Sequence, residues 1–239
     1  MKTFLVHYTR LRDRKEFVDF QFSKFGIQAE VITDYDKDDL STAQIDSFYE
    51  KDKTLYESKI RPLWDAQQVK YRELNMPEIS CTIKHFEAIR RASEADSPYS
   101  LIFEDDIVLV EDFNQRFEEN LKNTPDDWDA IFIGTGCGEW FQKIKLDKVN
   151  EITKNCFLVG HPATNCAEAY LIKKDAADKV FRGASPFHLI SDWELAYQLY
   201  NMDAKVYWWY PSLIEQGSKN GMFNSTLDLG QRHTESNYD

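Results

Sequence analysis

The sequence predicts an α/β protein with a mixed, mostly parallel sheet flanked by helices. Three observations lead to this prediction. Residues 1–34 follow the order strand, helix, strand; the apolar runs beyond them alternate with stretches of helical periodicity; and the chain contains no internal repeat or low-complexity tract. Because 239 residues suit one elaborated domain, we expect residues 1–239 to form a single domain.

The first unit of the fold is a strand, a helix and a second strand. An apolar run over residues 3–8 predicts the first strand, and phenylalanines at near-helical spacing predict a helix over residues 15–25. Gly26 is typical of a helix C-terminus, and residues 29–33 form the next apolar run. This order indicates the start of a parallel sheet.

The rest of the chain alternates helices with strands after a polar interval. Residues 35–77 are charged and tyrosine-rich, and they predict a helical insertion or a mobile flap. Further helices are predicted over residues 80–95, 113–121 and 191–200. Further strands are predicted over residues 100–110, 129–133, 157–159, 167–172 and 205–210. The tail from residue 216 has the composition of a loop.

Composition excludes several classes of protein. The net charge of −12, from 29 basic and 41 acidic residues, repels nucleic-acid backbones. No apolar run approaches the 18 residues or so that a membrane helix needs, and because residues 1–8 lack the apolar core of a signal peptide, we expect none. Four cysteines without a C-x-x-C pair predict reduced thiols in a cytoplasmic protein, and they disfavour a disulfide or a zinc site.

Three consecutive acids interrupt the most apolar predicted strand. Burying Glu104, Asp105 and Asp106 is costly unless a positive charge compensates them. Side chains alternate along a strand, so we expect Glu104 and Asp106 to share one face and to hold Mn²⁺ or Mg²⁺. The alternative is a strand end that opens into a solvated acidic turn. The apolar run that resumes at residue 107 argues against this alternative.

Three segments resemble glycosyltransferase family 25, the family of lipopolysaccharide-type and collagen galactosyl- and glucosyltransferases. They are SCTIKH over residues 80–85, YSLIFEDD over residues 99–106 and WDAIFIG over residues 128–134. The opening strand, AEAYLIKK over residues 167–174 and DWEL over residues 192–195 also resemble the family. The resemblance covers most of the chain and is weakest over residues 35–77. The chain departs from the family pattern with Ser80 for Gly, Lys84 for Ser, and His7 where Asn is frequent.

The resemblance implies a GT-A fold, which is related to the Rossmann fold. It also implies a nucleotide-diphosphate sugar donor, with a UDP-sugar favoured, and a DxD-type metal site written here as Glu-x-Asp. The expected reaction moves a hexose to a hydroxyl of a glycan or a glycoprotein. No nucleic-acid partner and no integral membrane segment are expected.

One carboxylate is a candidate for the general base of an inverting transfer. The resemblance points to Asp192, which deprotonates the acceptor hydroxyl in this interpretation. The alternative is a helix-terminal carboxylate that interacts with the helix dipole. The neighbouring Ser191 and Glu194 have the spacing of a capping box, which predicts a structural role for Glu194.

The candidates for donor binding lie where the first strands end. His7, Tyr8, Thr9 and either Arg12 or Arg14 are placed to stack on a base or to hold a phosphate, and an exposed charged turn over residues 10–14 is the alternative. Asp34 is expected to bind the uracil or the ribose, or else to be a solvated helix cap. Two further candidates are Lys84, for the diphosphate, and Asp105.

Several other residues have both a functional and a structural interpretation. His233 is a candidate third metal ligand in a tail of loop composition, and His85 is either a substrate contact or a histidine at the edge of the core. The glycines at 134–138 predict a loop where backbone approaches a sugar. Trp140, Trp208 and Trp209 are expected either in an acceptor cleft or in the core.

Two rival functions remain open at this point. A sugar-phosphate nucleotidyltransferase normally carries glycines and basic residues after its first strand, but this chain has no glycine before Gly26. The second rival is a non-catalytic carbohydrate-binding or scaffold protein that has kept the fold.

Overall fold

The computed structural model describes residues 1–63, 71–136, 151–160 and 166–224. Its strands are β1 (Lys2–Val6), β2 (Glu30–Ile32), β3 (Tyr99–Glu104), β4 (Ile107–Leu109), β5 (Ala130–Phe132), β6 (Glu151–Thr153), β7 (Cys156–Leu158), β8 (Ala169–Lys173), β9 (Val206–Trp209) and β10 (Ile214–Gln216). Its α-helices are α1 (Arg12–Phe25), α2 (Thr42–Phe48), α3 (Lys53–Leu55), α4 (Met76–Glu94), α5 (Phe113–Asn123), α6 (Lys174–Gly183) and α7 (Ser191–Asn201).

Eight of the strands form one mixed sheet in the order β2-β1-β3-β8-β5-β9-β7-β6. The pairings β1–β2, β1–β3 and β5–β9 are parallel. Strands β8 and β7 run against their neighbours, so the other six strands share one direction. The predicted mixed, mostly parallel sheet with flanking helices is therefore confirmed.

The two faces of the sheet bury two separate apolar cores. Alternation along β3 directs Ile102 into one core and Leu101 and Phe103 into the other. Helices α4, α6 and α7 cover the first face, and α1 and α5 cover the second. Trp208 and Trp209 lie on opposite faces, and both are fully buried, so the core interpretation of these two residues is correct. Trp140 lies outside the described residues.

Local sequence signals explain where the helices begin and end. Gly26 closes α1 with a left-handed φ of 68°, and its N–H points to the carbonyls of Phe22 and Ser23. Helix α4 begins earlier than predicted, because Asn75 and Glu78 form a reciprocal capping box ahead of it.

The predicted strand over residues 100–110 is wrong in one respect that matters for the site. Strand β3 ends at Glu104, Asp105 and Asp106 form a turn, and β4 leaves the main sheet to pair antiparallel with β10. The turn allows the three carboxylates to reach different partners, whereas a continuous strand would fix them on alternate faces. Strands β6 and β10 and helix α6 were not predicted.

The region 35–77 contains helices α2 and α3 and the short turns Tyr56–Ile60 and Arg61–Leu63, and residues 64–70 lie outside the described part. Its role as an insertion or flap stays a prediction, as does the single domain over residues 1–239. Within the described residues, no helix combines the length and the apolar character needed to cross a bilayer.

Candidate active site

A cavity of about 430 Å³ opens where β1 and β3 end. The first turns of α4 and α7 and the segment that follows β10 complete its wall. Ligand sites of α/β sheets commonly lie beyond the carboxyl ends of the strands. Of the predicted site residues, the cavity brings together seven: His7, Tyr8, Lys84, Glu104, Asp105, Asp106 and Asp192.

Asp105 is the anchor of the acidic turn. Its Oδ2 lies 2.8 Å from Nδ1 of His7 and accepts the N–H of Tyr8 at 3.2 Å, and its Oδ1 accepts Nη1 of Arg14 at 2.9 Å. Burial alone would raise the pKa of Asp105, but the His7 hydrogen bond and the Arg14 charge outweigh burial and lower it. Asp105 is therefore a buried carboxylate that fixes the turn to β1 and α1.

Asp106 has the opposite environment. The residue is 3% exposed, and its Oδ1 has no hydrogen-bond partner among the described residues. Burial and the charge of Glu104 raise the pKa of Asp106 to about 6, while Ser218 and Arg14 act in the other direction. A buried oxygen without a donor is costly, so this carboxylate has room for a positive partner.

Glu104 lies at the last position of β3 and is held from two sides. Its Oε1 is 3.1 Å from Nε2 of His85, and its Oε2 accepts Nε2 of Gln216 at 3.4 Å. The ligating atoms of Cys81, His85 and Glu104 all lie within 4.8 Å of one another. His85 is 1% exposed and therefore lies inside the core rather than at its edge, and its imidazole reaches the acidic turn.

The residues at this turn fit a hard divalent cation. Oxygen ligands are what Mn²⁺ and Mg²⁺ prefer, and two buried oxygens here, Oδ1 of Asp106 and Oε1 of Gln216, lack a donor within the described part of the chain. Glu104 supplies the neighbouring carboxylate. The third predicted ligand, His233, lies outside the described residues.

Asp192 lines the same cavity from the first turn of α7. Its Oδ1 accepts the N–H of Trp193 at 2.9 Å. The charges of Glu104, Asp105 and Asp192 act together on Cys81, and after burial they are the main cause that raises the pKa of its thiol. The candidate base and the acidic turn therefore share one electrostatic environment.

The predicted capping box at α7 is wrong, although Glu194 has the structural role assigned to it. Ile190 is the N-cap, and its side chain offers no hydrogen bond. Glu194 is fully buried and accepts the N–H groups of His188 and Leu189 and the amide of Gln198. Its carboxylate thus stabilises the loop that precedes α7 and does not cap the first turn of the helix.

Lys84 holds the fold together at the cavity wall. Its Nζ contacts the carboxylate of Asp36 and donates to the carbonyls of His7 at 2.6 Å and Thr33 at 3.4 Å. Three acceptors use the three protons of the ammonium group, and the side chain is 2% exposed. The arrangement therefore favours a structural tie over the predicted contact with a diphosphate.

Three predicted donor-binding residues do not line the cavity. Asp34 is exposed and pairs with Arg91 at 2.6 Å, and Arg12 is exposed on α1. Thr9 is also exposed, and its hydroxyl binds Asp36. The reason is local: β2 ends at Ile32, and Tyr35 adopts a left-handed φ of 67°, so Asp36 is the buried acid beyond β2.

Sequence reasoning missed three residues at the site, namely Asp36, Lys37 and Lys219, and it named Arg14 only as the alternative to Arg12. Arg14 had a signal, because it shares the buried face of α1 with Val18 and Phe22 at helical spacing. The other three depend on loops that carry no periodicity. Lys37 and Lys219 line the cavity, and within the described part of the chain neither is paired with a carboxylate.

The glycine loop packs against a carboxylate in its described part. A Cβ at Gly134 would lie 2.3 Å from Oε1 of Glu168, and the N–H of Gly136 donates to that oxygen at 2.7 Å. Gly134 is therefore required by close packing on Glu168. Residues 137 and 138 lie outside the described residues.

Comparison with known proteins identifies the class to which this fold and cavity belong. Residues 1–194 match the profile of glycosyltransferase family 25, described as an LPS biosynthesis protein. The match covers most of the chain, so the chain belongs to glycosyltransferase family 25. It is a glycosyltransferase, and the resemblance noted in the sequence is confirmed.

A search of curated proteins finds no significant match. Among solved structures, the chain is similar to mouse xyloside xylosyltransferase 1 in its apo form, with 12% identity and a TM-score of 0.37. The similarity covers 85% of this chain and 70% of the mouse chain. The sugar named in that title belongs to the mouse protein, and the assignment of this chain rests on the family match.

Proposed function

We propose that this glycosyltransferase moves a hexose from a nucleotide-diphosphate sugar, with a UDP-sugar favoured, to a hydroxyl of a glycan or glycoprotein. The observation that carries the proposal is the unpartnered Oδ1 of the buried Asp106. It lies beside Glu104 in a cavity that also contains a candidate base and two lysines. The family description supports a glycan acceptor, because it names lipopolysaccharide biosynthesis.

Glu104 and Asp106 would hold Mn²⁺ or Mg²⁺, with His233 as a predicted further ligand. When bound, the cation supplies Lewis-acid stabilisation of the charge that grows on the leaving diphosphate. The chain's own contribution is the position of the turn. Asp105, held by His7 and Arg14, keeps the two acids beside the cavity without using their oxygens.

The nucleotide would lie along the end of β1. The ring of Tyr8 lines the cavity there, with the ammonium of Lys37 5.0 Å from its centroid, and offers a surface on which a base stacks. Lys37 and Lys219 supply positive charge for the diphosphate. In this proposal they replace Lys84 and Arg12, which are respectively engaged in the fold and outside the cavity.

Asp192 would take the proton from the acceptor hydroxyl as that oxygen attacks the anomeric carbon, and the sugar is transferred with inversion. Its place at the start of α7, on the wall of the same cavity, supports this role. The insertion over 35–77 would close over the donor and exclude water, which suppresses hydrolysis.

The test is a screen of nucleotide sugars with Mn²⁺ or Mg²⁺, carried out on wild type, Asp106→Asn and Asp34→Asn. We expect wild type to release nucleoside diphosphate from one donor. Asp106→Asn should lose at least about a hundredfold in rate, because an amide does not replace a charged metal ligand. Asp34→Asn changes an exposed acid outside the cavity and should retain the wild-type rate.

The same screen separates the rival functions. Release of pyrophosphate would identify a sugar-phosphate nucleotidyltransferase, and no turnover with any donor would identify a binding or scaffold protein. Full activity of Asp106→Asn would contradict the proposed site. Thermal unfolding of each variant shows whether a loss of activity is a loss of fold.

A further inference from the structure

We propose that Cys81, His85 and Glu104 form a binding site for one Zn²⁺ ion on the wall of the cavity. The absence of a C-x-x-C pair had disfavoured a zinc site. The structure shows a different pattern, in which one thiol, one imidazole and one carboxylate come from two elements. The site is distinct from the oxygen-ligand site at Asp106, and the two share Glu104.

The geometry follows from the secondary structure. Cys81 and His85 are four residues apart on α4, so both side chains project from the same face of the helix. Glu104 is the last residue of β3, against which that helix packs. The three ligating atoms lie within 4.8 Å of one another, and Nε2 of His85 is already 3.1 Å from Oε1 of Glu104.

These separations suit a tetrahedral ion. Zinc bond lengths of about 2.0–2.3 Å place tetrahedral ligands about 3.5 Å apart. The most distant pair of ligating atoms, which are at most 4.8 Å apart, would therefore approach by about 1 Å on zinc binding. Cys81 and Glu104 line the cavity, so the fourth position faces solvent, as in zinc sites that keep an open coordination position.

The donor set favours zinc over manganese. Thiolate sulfur and imidazole nitrogen are ligands that Zn²⁺ prefers, whereas Mn²⁺ prefers oxygen, and zinc binds most such sites more tightly than manganese. The thiol of Cys81 releases its proton to solvent as the sulfur–zinc bond forms. Nε2 of His85 faces Glu104 and is the nitrogen that would bind zinc, so the proton of the neutral ring would lie on Nδ1, which is buried without a partner among the described residues.

Zn²⁺ at this site is also expected to affect sugar transfer, and this expectation rests on the proposed function. If Glu104 also holds the hard cation that supports transfer, Zn²⁺ at Cys81 and His85 competes for that carboxylate. Zinc would then inhibit transfer, and added Mn²⁺ would only partly reverse the inhibition.

Binding is tested with Co²⁺ as a spectroscopic probe on the whole chain, without any activity measurement. We expect a thiolate-to-cobalt charge-transfer band and the intense visible bands of tetrahedral cobalt, both displaced by one equivalent of Zn²⁺. Cys81→Ser should abolish the charge-transfer band and weaken Zn²⁺ binding by at least about a hundredfold. His85→Ala should remove the tetrahedral visible bands.

Two other thiols provide matched controls. Cys166→Ser changes a second cysteine on the cavity wall, and Cys156→Ser changes a buried cysteine in β7. Both variants should keep the cobalt spectrum of wild type. Absence of the charge-transfer band in wild type, or its survival in Cys81→Ser, would overturn the site.

A second measurement covers the case in which Cys81→Ser does not fold. Alkylation of the wild-type protein, located by mass spectrometry, should slow at Cys81 when Zn²⁺ is present and stay unchanged at Cys166, which is likewise partly exposed on the cavity wall. Equal rates at Cys81 with and without zinc would also overturn the site. Zinc binding without inhibition of transfer would leave this site intact and would instead contradict the role of Glu104 in the proposed function.

Discussion

Arg14 is the residue on which the position of the acidic turn depends. Its guanidinium donates to Asp105 at 2.9 Å and to the carbonyl of Asn224. The side chains of Arg14 and Asp105, which form an ion pair, are both buried. Removing one member of a buried ion pair leaves the other charge without compensation. The contact therefore combines an electrostatic role with a link between α1, the turn and the end of the described chain.

We expect Arg14→Met to lower the free energy of unfolding by about 3–5 kcal/mol, because it leaves the buried Asp105 without its charged partner. Arg12→Met is a matched control, since it replaces the same type of residue on the exposed face of the same helix. Its free energy of unfolding should stay within about 0.5 kcal/mol of wild type. Urea unfolding of the three proteins measures the difference. Equal stabilities of the two variants would show that the Asp105 contact does not stabilise the fold.

Lys84 provides a prediction that separates a structural role from a donor contact. Lys84→Met leaves the carboxylate of Asp36 buried without its cation, so we expect a loss of about 3–5 kcal/mol in unfolding free energy. A direct diphosphate contact predicts the reverse pattern, with unchanged stability and a raised donor KM. Urea unfolding and donor kinetics on the same variant distinguish the two outcomes, and Lys219→Met shows the kinetic pattern expected of a cavity lysine.

At the scale of elements, the sequence predicted well what depends on local pattern. Apolar periodicity placed α1, α4, α5 and α7, and Gly26 marked the end of α1. The prediction from sequence was wrong where the structure of a segment depends on residues far away in the chain. The run over residues 100–110 has strand composition throughout, but Asp105 bonds to His7 and Arg14 in a turn, and β4 pairs with β10 instead of joining the main sheet.

Helix α7 carries a prediction about pH. Burial raises the pKa of Glu194 above its usual value of 4.5, even though three N–H donors favour the charged form. The folded state therefore binds a proton more tightly than the unfolded state does. The resulting stabilisation is complete below pH 4.5 and is lost as the pH rises through the folded-state pKa.

Glu194→Gln removes this ionisation, so we expect the stability of wild type relative to the variant to fall as the pH rises above 4.5. Urea unfolding at a series of pH values measures the effect. Glu118→Gln, on an exposed position of α5, should follow the wild-type profile. Parallel profiles for wild type and Glu194→Gln would show that the carboxyl group does not titrate differently in the folded state.

At the scale of the whole molecule, the site is assembled from both ends of the described chain. The acidic turn is held by His7 and Arg14 near the start and by Gly217 near the end, whose N–H donates to the carbonyl of Asp106. Phe223 packs on Phe17 and lies 5.4 Å from the Arg14 guanidinium. Such contacts join residues about 90 to 210 positions apart, so no local sequence pattern predicts them.

Gly217 tests whether the contact between the acidic turn and the segment after β10 shapes the cation site. A Cβ there would lie 2.9 Å from the carbonyl oxygen of Asp106 and 2.6 Å from the ring of Phe223, so backbone or ring must move. We expect Gly217→Ala to cost about 1–3 kcal/mol in unfolding free energy and to weaken Mn²⁺ binding, because the displaced carbonyl belongs to a proposed ligand residue. Urea unfolding and calorimetric titration with Mn²⁺ measure the two effects.

Gly160→Ala is the control for this substitution, because a Cβ at Gly160 meets no atom within 4 Å. It should leave both stability and Mn²⁺ binding near wild type. If Gly217→Ala binds Mn²⁺ as tightly as Gly160→Ala does, the segment after β10 covers the acidic turn without setting its geometry. If only Gly217→Ala loses affinity, the cation site requires the segment after β10 as well as the strands that precede it.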